Sequence, residues 1–365
     1  MEILDTILKA TNSPSFIVTS EQRRALQNMQ SCRTLIRGGI VLQCPECKTT
    51  QILYHPCNQR GCPICYKKNQ ILWKTKLQKR ILPTSHFHLV FSVPQVFTTI
   101  WLRNKKTITN ILFSSISKCI KELGKELGIL FGSVLVFQSK GKGLCYKPHV
   151  HCILTAGGLN DAKQWVDVGS IDYTKLKERL CSIVSKKLVK APDIDNAFNI
   201  SAINKKEWSI YPTFHHLTGK DIVEYLSHSM SGVVIDMEQN FKIDNELNTI
   251  GFSEIHAGKK IDTTLSTQTF IERYLNHIPP AKTVTVRYYG FYSNRNKKEL
   301  EIWKKKLIGS IDYKTIAPEL ITYICPTCKS KMHEVFVFRP FAKPDFSKYG
   351  FLHGPPKHGS ICKIA

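Results

Sequence analysis

The chain has 365 residues, 42% of them hydrophobic, which excludes a disordered tail and supplies enough apolar material for two or three packed domains. Lysine and arginine outnumber aspartate and glutamate by 52 to 28, a formal net charge of +24 that is spread along the chain and not gathered in one terminal block. Such a surface fits a polyanionic partner: each phosphate neutralised by a side-chain cation releases a condensed counterion, giving a nucleic-acid affinity that falls steeply with salt.

The opening MEILDTILKA has acids early and no long apolar run before a small-residue cleavage site, so no secretory leader is expected. Ser85 to Leu102 is the longest stretch free of Asp, Glu, Lys and Arg, but two histidines and Pro94 make it a strand and loop, not a bilayer span. A cytoplasmic, nucleoid-associated protein with no membrane segment is the expectation. In that reducing compartment 13 cysteines point to metal and not to disulfides.

In chain order, a helix is predicted around Glu21 to Met29, followed by a cysteine-rich segment. HFHLVFSVP, residues 86–94, reads as a strand ended by Pro94. Asn104 to Leu127 has helical spacing, and SVLVFQSKGKGLCYKPHVHCIL, residues 133–154, reads as two strands joined by a Gly/Lys-rich turn. Asp161 to Lys190 is predicted helical, KDIVEYLSHSM (220–230) is a short amphipathic helix, and TVTVRYYGFYS (283–293) is another strand. Domain boundaries are placed at 1–80, 81–296 and 297–365, the last segment carrying a further CxxC.

Cys44 and Cys47 form one CxxC knuckle and Cys62 and Cys65 a second, fourteen residues on. Two knuckles presenting two thiolates each close a tetrahedron around Zn²⁺ and leave no open position, so a structural zinc is expected, with Cys57 and His55 as spare ligands. Metal binding would supply much of the folding free energy of so small a segment. Cys325 and Cys328 in CPTC have no matching CxxC nearby. His353, His358 and Cys362 are their candidate partners, and an unfilled knuckle is the competing reading.

His149 and His151 alternate along a predicted strand, so both point to one side while Val150, Cys152 and Leu154 point to the other. Gln138 on the paired strand, or His228, is the candidate third ligand. Two imidazoles and a neutral oxygen would hold a divalent cation with positions left open, which suits a Lewis acid that polarises a phosphodiester. On the helix at 220–230, Ile222, Val223 and Leu226 are expected to face the core, while Tyr225, His228 and Ser229 share a flank. Tyr225 is thus a candidate nucleophile, its phenol needing a cation's field or a base to attack at neutral pH.

SCRTLIRGG, CNQRGCPIC, ILPTSHFHLVFSVP, PHVHCILTAGGL, EYLSHSM and FIERYLNHIPPAKTVTVRYYGF occur in one order over roughly residues 21–295. In that order the chain resembles the rolling-circle HUH transposases of the insertion sequence ninety-one family. The resemblance implies a strand-specific DNA endonuclease and strand transferase: a metal, Mg²⁺ or Mn²⁺, held by His149 and His151 activates a phosphate in single-stranded DNA, and Tyr225 attacks to leave a 5′-phosphotyrosine and a free 3′-hydroxyl. It also implies an amino-terminal zinc segment that helps recognise element ends. The family's second tyrosine, four residues after the first, is here Ser229, and its strand histidine before the hairpin turn is here Gln138.

The expected fold is α+β: a cysteine-rich zinc ribbon, then an HUH-endonuclease-like antiparallel sheet with the histidine strand central and helices packed on it, then a small tail. Lys140, Lys142 and Lys147 are expected phosphate contacts, and self-association into a homo-oligomer is left open. The competing functions are a non-catalytic zinc-dependent DNA-binding protein and a metal-dependent phosphodiesterase in which a bound water attacks.

Overall fold

The structure is a computed structural model and describes residues 2–14, 16–95, 97–192, 194, 208–218, 221–223, 234–235, 239–256, 259–308, 323–342 and 345–351. It divides into two compact units, Met1–Lys67 together with Asp312–Ala365, and Lys68–Ile311.

The first unit opens with α1 (Glu2–Thr11), whose Ile3, Leu4 and Ile7 recur at helical spacing and are buried. α2 (Ser20–Gln30) starts at a reciprocal cap: Gln22 N donates to Thr19 Oγ1 at 3.2 Å, and Thr19 N to Gln22 Oε1 at 2.9 Å. It covers the predicted helix and buries Ala25, Leu26 and Met29. β1 (Gly39–Gln43) and β2 (Thr50–Tyr54) pair antiparallel across the loop that carries Cys44 and Cys47, with Gly39 opposite Tyr54 and Gln43 opposite Thr50.

α3 (Tyr66–Arg80) leads into the second unit, followed by β3 (Ser85–Ser92), α4 (Phe97–Arg103), α5 (Lys105–Glu126), β4 (Leu130–Lys140) and β5 (Tyr146–Leu159). The predicted strands and the long helix are all present. Asp161 to Lys190, predicted wholly helical, is helical only in α6 (Tyr173–Val189). Lys163 turns the chain at φ 56°, β6 (Trp165–Asp167) pairs with the end of β5, and the Asp172 side chain caps the helix by accepting from Lys175 N at 2.9 Å. β7 (Ser209–Thr218) follows, then a three-stranded antiparallel sheet of β8 (Phe241–Asp244), β9 (Thr249–His256) and β10 (Lys259–Ser266), then α7 (Thr267–Asn276), β11 (Val286–Gly290) and α8 (Lys297–Ile308). The chain returns to the first unit in β12 (His333–Phe338), which pairs antiparallel with β1 to give the order β12-β1-β2.

The main sheet runs β11-β4-β5-β3-β7, with every pairing antiparallel and the histidine strand β5 at its centre. Strand alternation sorts its residues into two cores. Phe87, Leu89, Phe91, Leu135, Val150, Cys152 and Leu154 pack with α4, α5 and α6. Val134, Val136 and Ile153 face the other way, against Leu77, Ile81, Leu82, Ile222, Val223, Phe291, Tyr292, Leu300 and Trp303. Gly290 ends β11 at φ 55° with a Cβ position 1.9 Å from the carbonyl oxygen of Phe131, a close approach that only glycine permits. No helix among the described residues is long and apolar enough to cross a membrane.

The second core contains one polar knot. The Tyr292 hydroxyl, fully buried, accepts from Leu82 N at 3.1 Å and pairs with His86 Nε2 at 2.7 Å. Tyr292→Phe would strand both partners away from water, so we expect a loss of about 1–3 kcal/mol in urea unfolding. An unchanged unfolding midpoint would show that the knot contributes nothing.

Candidate functional site

Among the described residues two groups of four cysteines, both in the first unit, have sulfurs that all lie within 4.8 Å of one another in each group: Cys32, Cys57, Cys62 and Cys65, and Cys44, Cys47, Cys325 and Cys328. The two CxxC pairs expected around one ion are therefore in different groups. The reason is the β1-β2 hairpin: Cys44 and Cys47 sit in its turn, whereas Cys57 to Cys65 follow β2 at the far end and meet Cys32 after α2. In the first group Cys32 Sγ is 3.4 Å from Cys65 Sγ, and Cys57 Sγ is 3.6 Å from Cys65 Sγ. Four sulfurs about 2.3 Å from a zinc ion stand roughly 3.8 Å apart, so the spacing fits a tetrahedral ion with modest expansion. Neighbouring sulfhydryls, that of Cys32 above all, hold the Cys65 thiol far below its ordinary range, and contact with Cys57 likewise lowers Cys32. His55 is exposed and outside the group.

The histidines lie on the sheet face opposite α4, α5 and α6. Cross-strand pairing sets Gln138 directly opposite His149, and both histidines reach the same amide: His149 Nε2 is 3.2 Å and His151 Nε2 3.0 Å from Gln138 Oε1. His149 Nδ1–H donates to the Lys147 carbonyl at 2.8 Å, which fixes the tautomer and leaves a lone pair on Nε2. That lone pair faces an oxygen. A cation between them resolves the conflict, and ligands about 2.1 Å from an octahedral ion stand about 3 Å apart, as these atoms do. Turned over, the Gln138 amide would instead present its NH₂ to the same nitrogens, so one side chain can satisfy the pair with or without an ion. Burial lowers the pKa of His149 and takes His151 well below the usual histidine range, with the neighbouring imidazoles adding to the second. Both rings are neutral lone-pair donors at neutral pH.

His88 on β3 was not singled out from the sequence, although HFH repeats the spacing of HVH. It is buried, and its Nε2 lies 2.9 Å from His151 Nδ1, with the rings stacked at 5.2 Å. If His151 Nε2 binds an ion, its Nδ1–H must donate outward, and His88 Nε2 is the acceptor in place. Burial holds the pKa of His88 down to about 4, which keeps that nitrogen able to accept. Cys32 was missed as a ligand because it stands alone, without a CxxC partner. Tyr225, Leu226, His228 and Ser229, and likewise His353, His358 and Cys362, lie outside the described residues. Of the predicted helix at 220–230 the described residues are Asp221–Val223, which are helical, and Ile222 and Val223 are fully buried, as expected. Lys142 and Lys147 are exposed beside the hairpin turn and Lys140 is half-buried.

Comparison with known proteins meets this geometry. A family model described as "Transposase zinc-binding domain", of the IS91 type, matches residues 5–93, a span that includes Cys32 to Cys65. One described as "Putative transposase" matches residues 132–299, which include Gln138, His149, His151 and Tyr225. The "Putative transposase y4qJ" of Sinorhizobium fredii (strain NBRC 101917 / NGR234) is 26% identical over 80% of this chain and 79% of its own length. The "Transposase for insertion sequence element IS801" of Pseudomonas savastanoi pv. phaseolicola is 25% identical over 83% of this chain and 77% of its own. No solved structure matches. With two transposase family models matched, over 5–93 and 132–299, in the order of the motifs, the chain belongs to the IS91 family of transposases.

Proposed function

We propose that the protein nicks and rejoins single-stranded DNA through a 5′-phosphotyrosine intermediate, in transposition of the rolling-circle type. Tyr225 is the nucleophile, and a divalent cation, Mg²⁺ or Mn²⁺, is held by His149, His151 and Gln138. The observation that carries this reading is the convergence of two neutral imidazole nitrogens and one amide oxygen at 3.0–3.2 Å on one sheet face. A second supports it: Ile222 and Val223, just before Tyr225, pack with Val136 and Ile153, which point to the same side of the sheet as His151.

When bound, the cation supplies a Lewis acid that polarises a phosphate oxygen. The chain's own groups do the rest. Burial keeps His149 and His151 neutral at working pH, and the Lys147 carbonyl and His88 hold their rings in the tautomer that leaves each Nε2 free. Tyr225 Oη attacks phosphorus, the bond to O3′ breaks, and the 3′-oxygen ends with the proton lost by the phenol. Attack by another 3′-hydroxyl on the phosphotyrosine joins a new strand and regenerates the phenol, so the bond energy is conserved without a nucleotide cofactor. With Ser229 in the position of a second tyrosine, Tyr225 serves both steps. Lys142 and Lys147, exposed at the turn, and Lys140 contact the DNA phosphates. The Cys32, Cys57, Cys62 and Cys65 centre holds a structural zinc in a unit that aids recognition of the element ends.

Incubation with single-stranded DNA bearing an element end and Mn²⁺ should give a denaturation-resistant protein–DNA adduct that Tyr225→Phe abolishes. Cleavage that survives Tyr225→Phe would move the attack to water, and binding without cleavage would leave a DNA-binding protein only. His149→Ala should also abolish cleavage while zinc content is unchanged.

His88→Ala should raise the Mn²⁺ concentration needed for half-maximal cleavage by about 10–100-fold, with most activity recovered at saturating metal. An unaltered metal requirement would remove His88 from a positioning role.

A further inference from the structure

The match to the zinc-binding family model ends at residue 93 and assigns nothing to Cys325 and Cys328. We propose that Cys44, Cys47, Cys325 and Cys328 hold a second zinc ion, so that the amino-terminal zinc unit is completed by the far end of the chain.

The two loops are copies of one another. Cys44-Pro-Glu-Cys47-Lys-Thr and Cys325-Pro-Thr-Cys328-Lys-Ser share the pattern CPxCK followed by a hydroxyl residue. In each, the first cysteine donates its N–H to the carbonyl five residues on: Cys44 N to Thr49 O at 2.9 Å, Cys325 N to Ser330 O at 2.8 Å. In each, the lysine donates back to the first cysteine, Lys48 N to Cys44 O at 3.1 Å and Lys329 N to Cys325 O at 3.0 Å. Both lysines adopt left-handed backbone, at φ 58° and φ 64°. A non-glycine residue there is uncommon, and finding one at the equivalent place in two loops marks a built conformation and not a chance turn. It is the tight turn that lets two thiolates point to one side.

Strand pairing then brings the copies face to face. β12 lies beside β1 with Gln43 opposite His333, and an isolated bridge between Ile324 and Lys331 extends the second loop's stem, so both turns project from one end of the sheet. Cys44 Sγ is 3.4 Å from Cys328 Sγ and Cys47 Sγ 3.5 Å from Cys325 Sγ. The four atoms close on a single point, the arrangement of a tetrahedral thiolate site. Cys44 and Cys325 form the buried half, packed with Leu42, Leu53 and Met332, while Cys47 and Cys328 are exposed. Each loop alone supplies half a shell. The ion would therefore link residues 278 positions apart, a cross-link closed only when the entire intervening unit has been made.

The test is the zinc content of the full chain, purified under reducing conditions and compared with the double variant Cys325→Ser/Cys328→Ser. We expect the variant to hold about one zinc ion fewer per chain, one ion per four thiolates. No difference, or iron in place of zinc in the wild type, overturns the proposal. If the variant is insoluble, zinc X-ray absorption and thiol counting on the wild type decide instead. All zinc should show a sulfur-only shell of four, with Cys44, Cys47, Cys325 and Cys328 protected from alkylation until a chelator is added. Nitrogen or oxygen in the shell, ready alkylation before chelation, or a disulfide between these cysteines counts against it.

Discussion

The register of β4, β5 and β3 is the constraint on which the rest depends. Side chains alternate with a period of two, so a one-residue slip of β5 would carry His149 and His151 into the helix-covered core and turn Val150, Cys152 and Leu154 outward. The apolar alternation forbids that slip, and the hairpin tip reinforces it. Gly143 and Leu144 both take positive φ, at 59° and 58°, and the strain at Leu144 is held by contacts from outside the hairpin. Gly143 N donates to Glu254 Oε1 at 2.5 Å, and Arg273 Nη1 donates to the Gly143 carbonyl at 2.5 Å. His277, whose pKa burial holds down to about 4, uses both faces of a neutral ring: Nε2–H donates to the Leu144 carbonyl at 3.0 Å and Nδ1 accepts from Ser139 Oγ at 2.8 Å. The sheet's own pattern and the β9 and α7 residues that grip its turn thus agree on where the imidazoles point.

Much of this was legible in the chain. Strands at 86–94, 133–154 and 283–293 announce themselves because each alternates and is bounded by proline or glycine, and the histidine pair is visible once the strand is drawn. What was not legible depends on partners distant in sequence. Cysteine spacing gave two knuckles fourteen residues apart, which look like one site, but the CPTC that matches Cys44 and Cys47 reaches them only because β12 pairs with β1. Cys32 has no local signature. The helix drawn over 161–190 failed for a local reason that spacing conceals: Lys163 at positive φ and the Asp172 cap are turn chemistry inside an amphipathic-looking run. His88 was hidden only by its surroundings, since an HxH in an apolar strand reads first as core.

The groups proposed to hold metal divide by chemistry as well as by place. Thiolate fours close a coordination shell and leave nothing for a substrate, which suits ions whose work is to hold loops together. Among the described residues the histidine face offers three neutral donors, Gln138, His149 and His151. An ion held by them keeps positions for other oxygens, which is what a phosphodiester would bring.

Charge sharpens that distinction. Two imidazoles and an amide cancel none of a dication's charge, and the hairpin turn's own charged residues are lysines, Lys142 and Lys147 in the open and Lys140 half-buried. On the proposed reading the cation would therefore be held weakly by the protein alone and firmly once DNA supplies a phosphate, because the phosphate neutralises both the ion and the lysines. Binding of metal and of DNA then become coupled by necessity: each raises the affinity for the other by the same factor. A carboxylate in the position of Gln138 would retain the ion more tightly without DNA, and would oppose the approach of the phosphate that the ion is there to engage.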